Sequence, residues 1–182
     1  MAIPDSLKKA IVQMPAKDKD KLLLRLVGKD PLLVDRLNFE LLEGSDTLLE
    51  RRAAIRNRII KIAGMSQYSP GWLMMDMRSL SGDITQHVKI TKDKYGEIEL
   101  SIQMVNTFFE NHPDLLTKYS SRSDKCSLYI AKKVQTILKL LTKLDEDYYV
   151  DFESEMGKLL RYVHSMCTKP YARELDIPEE WP

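Results

Sequence analysis

Apolar positions along this chain recur mostly at intervals of three and four, the spacing that lines one side of an α-helix. The clearest stretch is G-K-D-P-L-L-V-D-R-L-N-F-E-L-L-E-G, residues 28–44. Asp30 is placed to cap a helix, Pro31 to take its first position, where a missing N–H does no harm, and Gly44 to end it. Between them Leu33, Val34, Leu37 and Leu41 share a face, with Leu42 beside them. A helix over 15–27 carries Leu22, Leu23, Leu26 and Val27, and the short link Gly28 and Lys29 predicts an antiparallel pair. The pattern predicts that the 31–42 face is structural, packed on the helix before it and on the one after Ser45.

That next helix, capped by Ser45 or Asp46 and reaching about Ala63, is apolar on two sides: Leu48, Ile55, Ile59 and Ile62 on one, Leu49 and Ile60 on another. A helix from Pro70 carries Leu73, Met77, Leu80, Ile84 and Val88, and crosses Gly82, a residue able to split it. Residues 87–104 fit two patterns. Val88 and Ile90, then Ile98, Leu100, Ile102 and Met104, alternate as in a short β-hairpin turning at 92–96. Ile98, Ile102, Val105 and Phe109 also form a helical stripe that outruns the alternation, and an isolated hairpin is marginal, so helix is preferred.

A short helix opens at Pro113, and two long ones follow, marked by Ile130, Val134, Ile137, Leu138, Leu141 and Leu144, and by Tyr149, Phe152, Met156, Leu159, Val163 and Met166. The stretch 168–182, with Pro170, Pro178 and Pro182, reads as an extended tail. The predicted fold class is therefore all-α. A single domain over 1–167 would stack antiparallel helical hairpins, as an α-solenoid-like array or an irregular helical bundle.

Prolines able to open helices stand at 31, 70 and 113, about forty residues apart. Laying Pro31 on Pro113 aligns Leu22, Leu23, Leu26 and Val27 with Met104, Val105, Phe108 and Phe109. With the D-P-L-L-V step at Asp30 to Val34, this resembles the HEAT-type α-helical repeat. The resemblance implies helical pairs stacked into a right-handed solenoid, with extended grooves for protein partners.

Composition narrows the function classes. Lys and Arg number 28 against 27 Asp and Glu, so no overall charge draws the protein to nucleic acid or an anionic membrane. No apolar run approaches the roughly 18 residues of a membrane span, and the first residues lack a signal-peptide core. Two cysteines, Cys126 and Cys167, cannot build a disulfide framework, which fits a reducing, cytoplasmic setting.

Candidate chemistry is sparse. His164 and Cys167 lie three apart on one helix but lack the second pair that a closed zinc site needs. Glu40 and Glu43 form one Glu-x-x-Glu without a downstream acidic partner. Carboxylates between Asp145 and Glu155 sit where they oppose the positive end of the last long helix. Nothing marks a phosphate loop or a nucleophile elbow, so no catalytic, metal or cofactor residues are assigned and no cofactor is expected. Basic residues are more informative. Lys125, Lys132, Lys139 and Lys143, spaced seven, seven and four apart, line one side of a helix opposite its apolar stripe. Arg52 and Arg56 pair on the helix after Ser45, threaded between apolar stripes. Trp72, beside Met74, Met75 and Met77, forms an adaptable apolar group.

These seven residues, Lys125, Lys132, Lys139, Lys143, Arg52, Arg56 and Trp72, are the candidate partner-binding set. The preferred expectation is a non-enzymatic protein-interaction module, a scaffold or adaptor. The alternatives are a helical nucleic-acid-binding protein using the lysine stripe, and a helical hydrolase.

Overall fold

Helices α1 (Asp5–Gln13), α2 (Ala16–Val27) and α3 (Pro31–Asn38) lead the chain in the computed structural model, which describes residues 3–181. They are followed by α4 (Leu48–Ala63), α5 (Pro70–Thr91), α6 (Lys94–Asn111), α7 (Pro113–Leu116), α8 (Asp124–Leu141), α9 (Tyr149–Ser165) and α10 (Lys169–Glu174). No strand occurs among the described residues. The all-α expectation holds. The single domain over 1–167 does not: the chain divides into two compact units, the first ending at Gly44 and the second beginning at Ser45.

In the first unit the local signals act as the sequence predicts. The Asp30 carboxylate accepts from the Leu32 and Leu33 N–H groups at 3.1 and 3.2 Å, with Pro31 at the first helical position. A π-helical turn, Phe39–Glu43, extends α3 to Gly44, whose φ of 64° is open to glycine at no steric cost. α1, which the sequence pattern did not single out, precedes α2. Burial departs from expectation. No residue of α1, α2 or α3 is buried; Leu37 is half-buried, and Val34, Leu41 and Leu42 are exposed. The face of 31–42 is amphipathic but does not form a core.

The second unit holds the core, and α6 is its centre, packed against α4, α5, α8 and α9. Ile98, Leu100, Ile102, Met104, Val105, Phe108 and Phe109 are all buried. This resolves residues 87–104 in favour of helix: α5 ends where Lys92 takes a left-handed φ of 61°, Asp93 caps the next helix, and α6 begins at Lys94. The apparent β alternation arises because α6 packs on four helices, so apolar residues are needed over most of its circumference. Gly82 does not split α5, since its position is exposed and open and only the weak helix propensity of glycine is felt there.

The C-terminal stretch is not an extended tail. α10 forms with Ala172 and Thr168 buried, and Ile177 is inserted among the core residues. His164 Nε2 lies 3.1 Å from the carbonyls of Ile177 and Pro178, and Gln135 Nε2 donates to the Leu175 carbonyl at 3.3 Å. Trp181 packs edge-on against Tyr149.

Candidate functional site

The polar centre of the second unit is built at the α5–α6 turn. Asp93 caps α6 by accepting from the Gly96 N–H at 2.9 Å. Its carboxylate is also gripped by Arg52 of α4 in a two-point pair, Nε to Oδ2 and Nη2 to Oδ1, both 2.6 Å. His87 of α5 lies with Nε2 at 3.0 Å from Oδ2. Each carboxylate oxygen thus meets two nitrogens. Burial alone would raise the Asp93 carboxyl, but the hydrogen bonds from His87, Arg52 and Gly96 outweigh it and hold it far below the usual carboxylate range. An ionised carboxylate only accepts, so the His87 Nε2 carries a hydrogen and donates.

One helical turn outward the network continues. Arg56 Nη2 donates to Glu99 Oε1 at 2.5 Å, leaving Oε2 3.6 Å from Arg52 Nη1 and without a hydrogen bond. The Arg52 guanidinium also lies 5.1 Å from the centre of the Tyr95 ring. Arg52 and Arg56, expected as partner-binding residues, are therefore committed to ion pairs inside the second unit. Sequence spacing showed that they share a helix face but not that Asp93 and Glu99 would meet it.

Beside this network a cleft of about 290 Å³ opens between α6 and α9. Tyr95, Ile102 and Phe152 make its apolar floor, with the two rings 4.9 Å apart. Arg56, Glu99, Gln103, Asp151 and Glu155 supply the polar rim. The Tyr95 hydroxyl donates to Asp151 at 3.3 Å. Asn106, buried one turn further along α6, donates from Nδ2 to the Glu155 carbonyl and carboxylate at 3.0 and 2.9 Å. Asp151 and Glu155 belong to the acidic stretch noted in the sequence and Glu99 did not stand out; that the three share a cleft shows only once α6 and α9 are side by side.

Lys125, Lys132, Lys139 and Lys143 are exposed, the first three along α8 and the last just beyond it. Trp72 is 58% exposed in the first turn of α5, where Ser69 caps the helix. It stands apart from the Arg52 and Arg56 network. His164 and Cys167 do not converge on a common ligand position: the imidazole faces backbone carbonyls, and Cys167 is buried, its thiol raised by burial. Cys126 is likewise buried and pushed up to about 12, so neither thiol is a poised nucleophile. No group of three or more potential metal ligands occurs among the described residues. None of their helices is long and apolar enough to cross a membrane.

The first unit offers a different feature. Leu24, Leu41 and Leu42 are 72%, 75% and 80% exposed, and Leu23 and Leu26 are more than half exposed. Comparison with protein-family models, curated proteins and solved structures finds no match to this chain.

Proposed function

We propose that the protein is a non-enzymatic interaction module, and that helices α2 and α3 with the turn after them form its docking face for another protein. The exposed leucines carry this reading. Large apolar side chains left in water on amphipathic helices are costly to maintain and mark a surface suited to being covered. The polar residues beside it alternate in sign through Lys17, Asp18, Lys19, Asp20 and Lys21, which favours a protein partner with mixed charge over nucleic acid or an anionic membrane. The D-P-L-L-V step supports an α2–α3 pair of the repeat type, whose stacking on a partner's helices would extend a solenoid-like array.

Replacing Leu23, Leu24, Leu41 and Leu42 together with Ser tests this. Because those side chains are already in water, stability is expected to fall by no more than about 1 kcal/mol, while proteins that co-purify with the native chain are lost. Sedimentation of wild type and variant shows whether a second copy is the partner. Unfolding of the variant, or unchanged co-purification and assembly, overturns the proposal.

The lysine stripe yields a separate expectation. Binding to a generic DNA duplex is expected to be weak at low salt and absent near physiological salt, because acids follow the stripe at Asp145 to Asp147. Tight binding that survives physiological salt and disappears when Lys125, Lys132, Lys139 and Lys143 are all changed to Glu would favour the nucleic-acid reading instead.

A further inference from the structure

A groove of about 670 Å³ opens between α8, the start of α9 and the chain after α10. That last wall is held in place by its own contacts. Asp176 takes a left-handed φ of 50°, Ile177 turns in among the core residues, and His164 Nε2 meets the carbonyls of Ile177 and Pro178. Pro178, Glu180 and Trp181 thereby line the groove. Leu138, Leu175, Tyr149 and Trp181, each half-buried, make its surface mainly apolar. The Tyr149 and Trp181 rings lie 5.3 Å apart at 63°, which sets two flat faces at a corner.

Two donors at this corner lack an acceptor. Among the described residues neither the Tyr149 hydroxyl nor the Trp181 indole N–H makes a hydrogen bond, and neither is closed off from solvent. A partner that fills the groove displaces water from both, so it must bring acceptors of its own. An α-helix satisfies its carbonyls internally and offers none from its backbone. A polyproline II segment has no internal hydrogen bonds, so its carbonyls are all free, and its proline rings meet aromatic faces at low entropic cost. Charge narrows the choice further. Asp176 and Glu180 make no ion pair among the described residues, and the one cation lining the groove, Lys139, donates to Gln135 Oε1 at 3.4 Å. Two unpaired carboxylates favour a basic residue beside the prolines.

We propose that this groove binds a proline-rich segment of a partner protein in the polyproline II form. Its proline rings lie against Tyr149 and Trp181, its carbonyls accept from the Tyr149 hydroxyl and the Trp181 indole N–H, and a flanking Arg or Lys pairs with Asp176 or Glu180. The site lies wholly within the second unit and stands or falls separately from the leucine face of α2 and α3.

Titrating the full chain with the capped peptide R-P-P-L-P-P-L-P, followed by the two indole N–H signals, tests it. A saturable shift is expected at Trp181, while Trp72, exposed at the start of α5, serves as the internal control and stays unchanged. Tyr149→Phe keeps the ring and removes only the hydroxyl, so it is expected to weaken the peptide roughly fivefold through one lost hydrogen bond. Asp176→Asn with Glu180→Gln is expected to weaken it about threefold, and to leave unaffected the same peptide with Gln in place of Arg. Asp176 and Glu180 are exposed and Tyr149→Phe preserves the ring packing, so these variants keep the fold. An alanine-rich helical peptide of equal charge is the competing probe. The absence of a saturable Trp181 shift, an equal response to the helical peptide, or unchanged affinity in both Tyr149→Phe and the Asp176, Glu180 variant overturns the proposal.

Discussion

Asp93→Ala is expected to lower the stability of the second unit by about 3 to 5 kcal/mol, among the largest effects available from a single substitution in this protein. The side chains of Asp93 and His87 are each 3% exposed and that of Arg52 is 15% exposed, so removing the carboxylate strands a guanidinium and an imidazole N–H with little access to water. The same change deletes the α6 N-cap bond to Gly96. Both tryptophans, Trp72 and Trp181, lie in the second unit. Intrinsic fluorescence during urea unfolding therefore reads this loss without interference from α1–α3. A loss below about 1 kcal/mol would show that water replaces the carboxylate without penalty.

The same carboxylate makes stability depend on acid. Its folded-state pKa is depressed, so its contribution is complete above the unfolded-state carboxylate value of about 4 and is lost as pH falls below that toward the folded value. Wild type should therefore lose stability steeply on the acid side. Asp93→Ala, which has no such proton to gain, should show a shallower acid limb, with the two curves converging at low pH.

Much of the fold was legible because its signals are local. Asp30 with Pro31, Pro70 at a helix start, and the stripes of α8 and α9 require nothing beyond their own helices. One expectation failed and one reading stayed double, for related physical reasons. The 31–42 stripe looks like a core face, yet amphipathicity states only that a face is apolar, not that this chain covers it. Residues 98–104 look half like a strand because buried positions run most of the way round α6, leaving only a half-buried stripe through Glu99, Gln103 and Thr107. The arginines were visible and their role was not: Arg52 meets Asp93 across 41 residues and Arg56 meets Glu99 across 43, distances at which no spacing rule operates. The cleft is subtler still. Glu99 and Gln103 are ordinary helix residues until α9 lies beside them.

Gly96→Ala extends the same reasoning to a residue with no side chain. Gly96 does not need glycine for its backbone angles, because its φ lies in the normal negative range. It needs glycine for space: an added Cβ would stand 2.0 Å from Asp93 Oδ2 and 2.6 Å from Arg52 Nε. Neither atom can swing aside cheaply while each Asp93 oxygen holds two hydrogen bonds. The methyl group must therefore break the pair or displace the start of α6. Set against the helix propensity gained by alanine, about 1 kcal/mol, a net loss of about 2 to 4 kcal/mol is expected. The diagnostic result comes from the double variant. With Asp93 already changed to Ala, the nearest obstruction is gone, and Gly96→Ala should cost less than about 1 kcal/mol or even stabilise. The two losses would then be strongly non-additive in urea unfolding. Equal costs for Gly96→Ala in both backgrounds would place the obstruction in the helix itself, and the carboxylate cage would no longer account for the glycine.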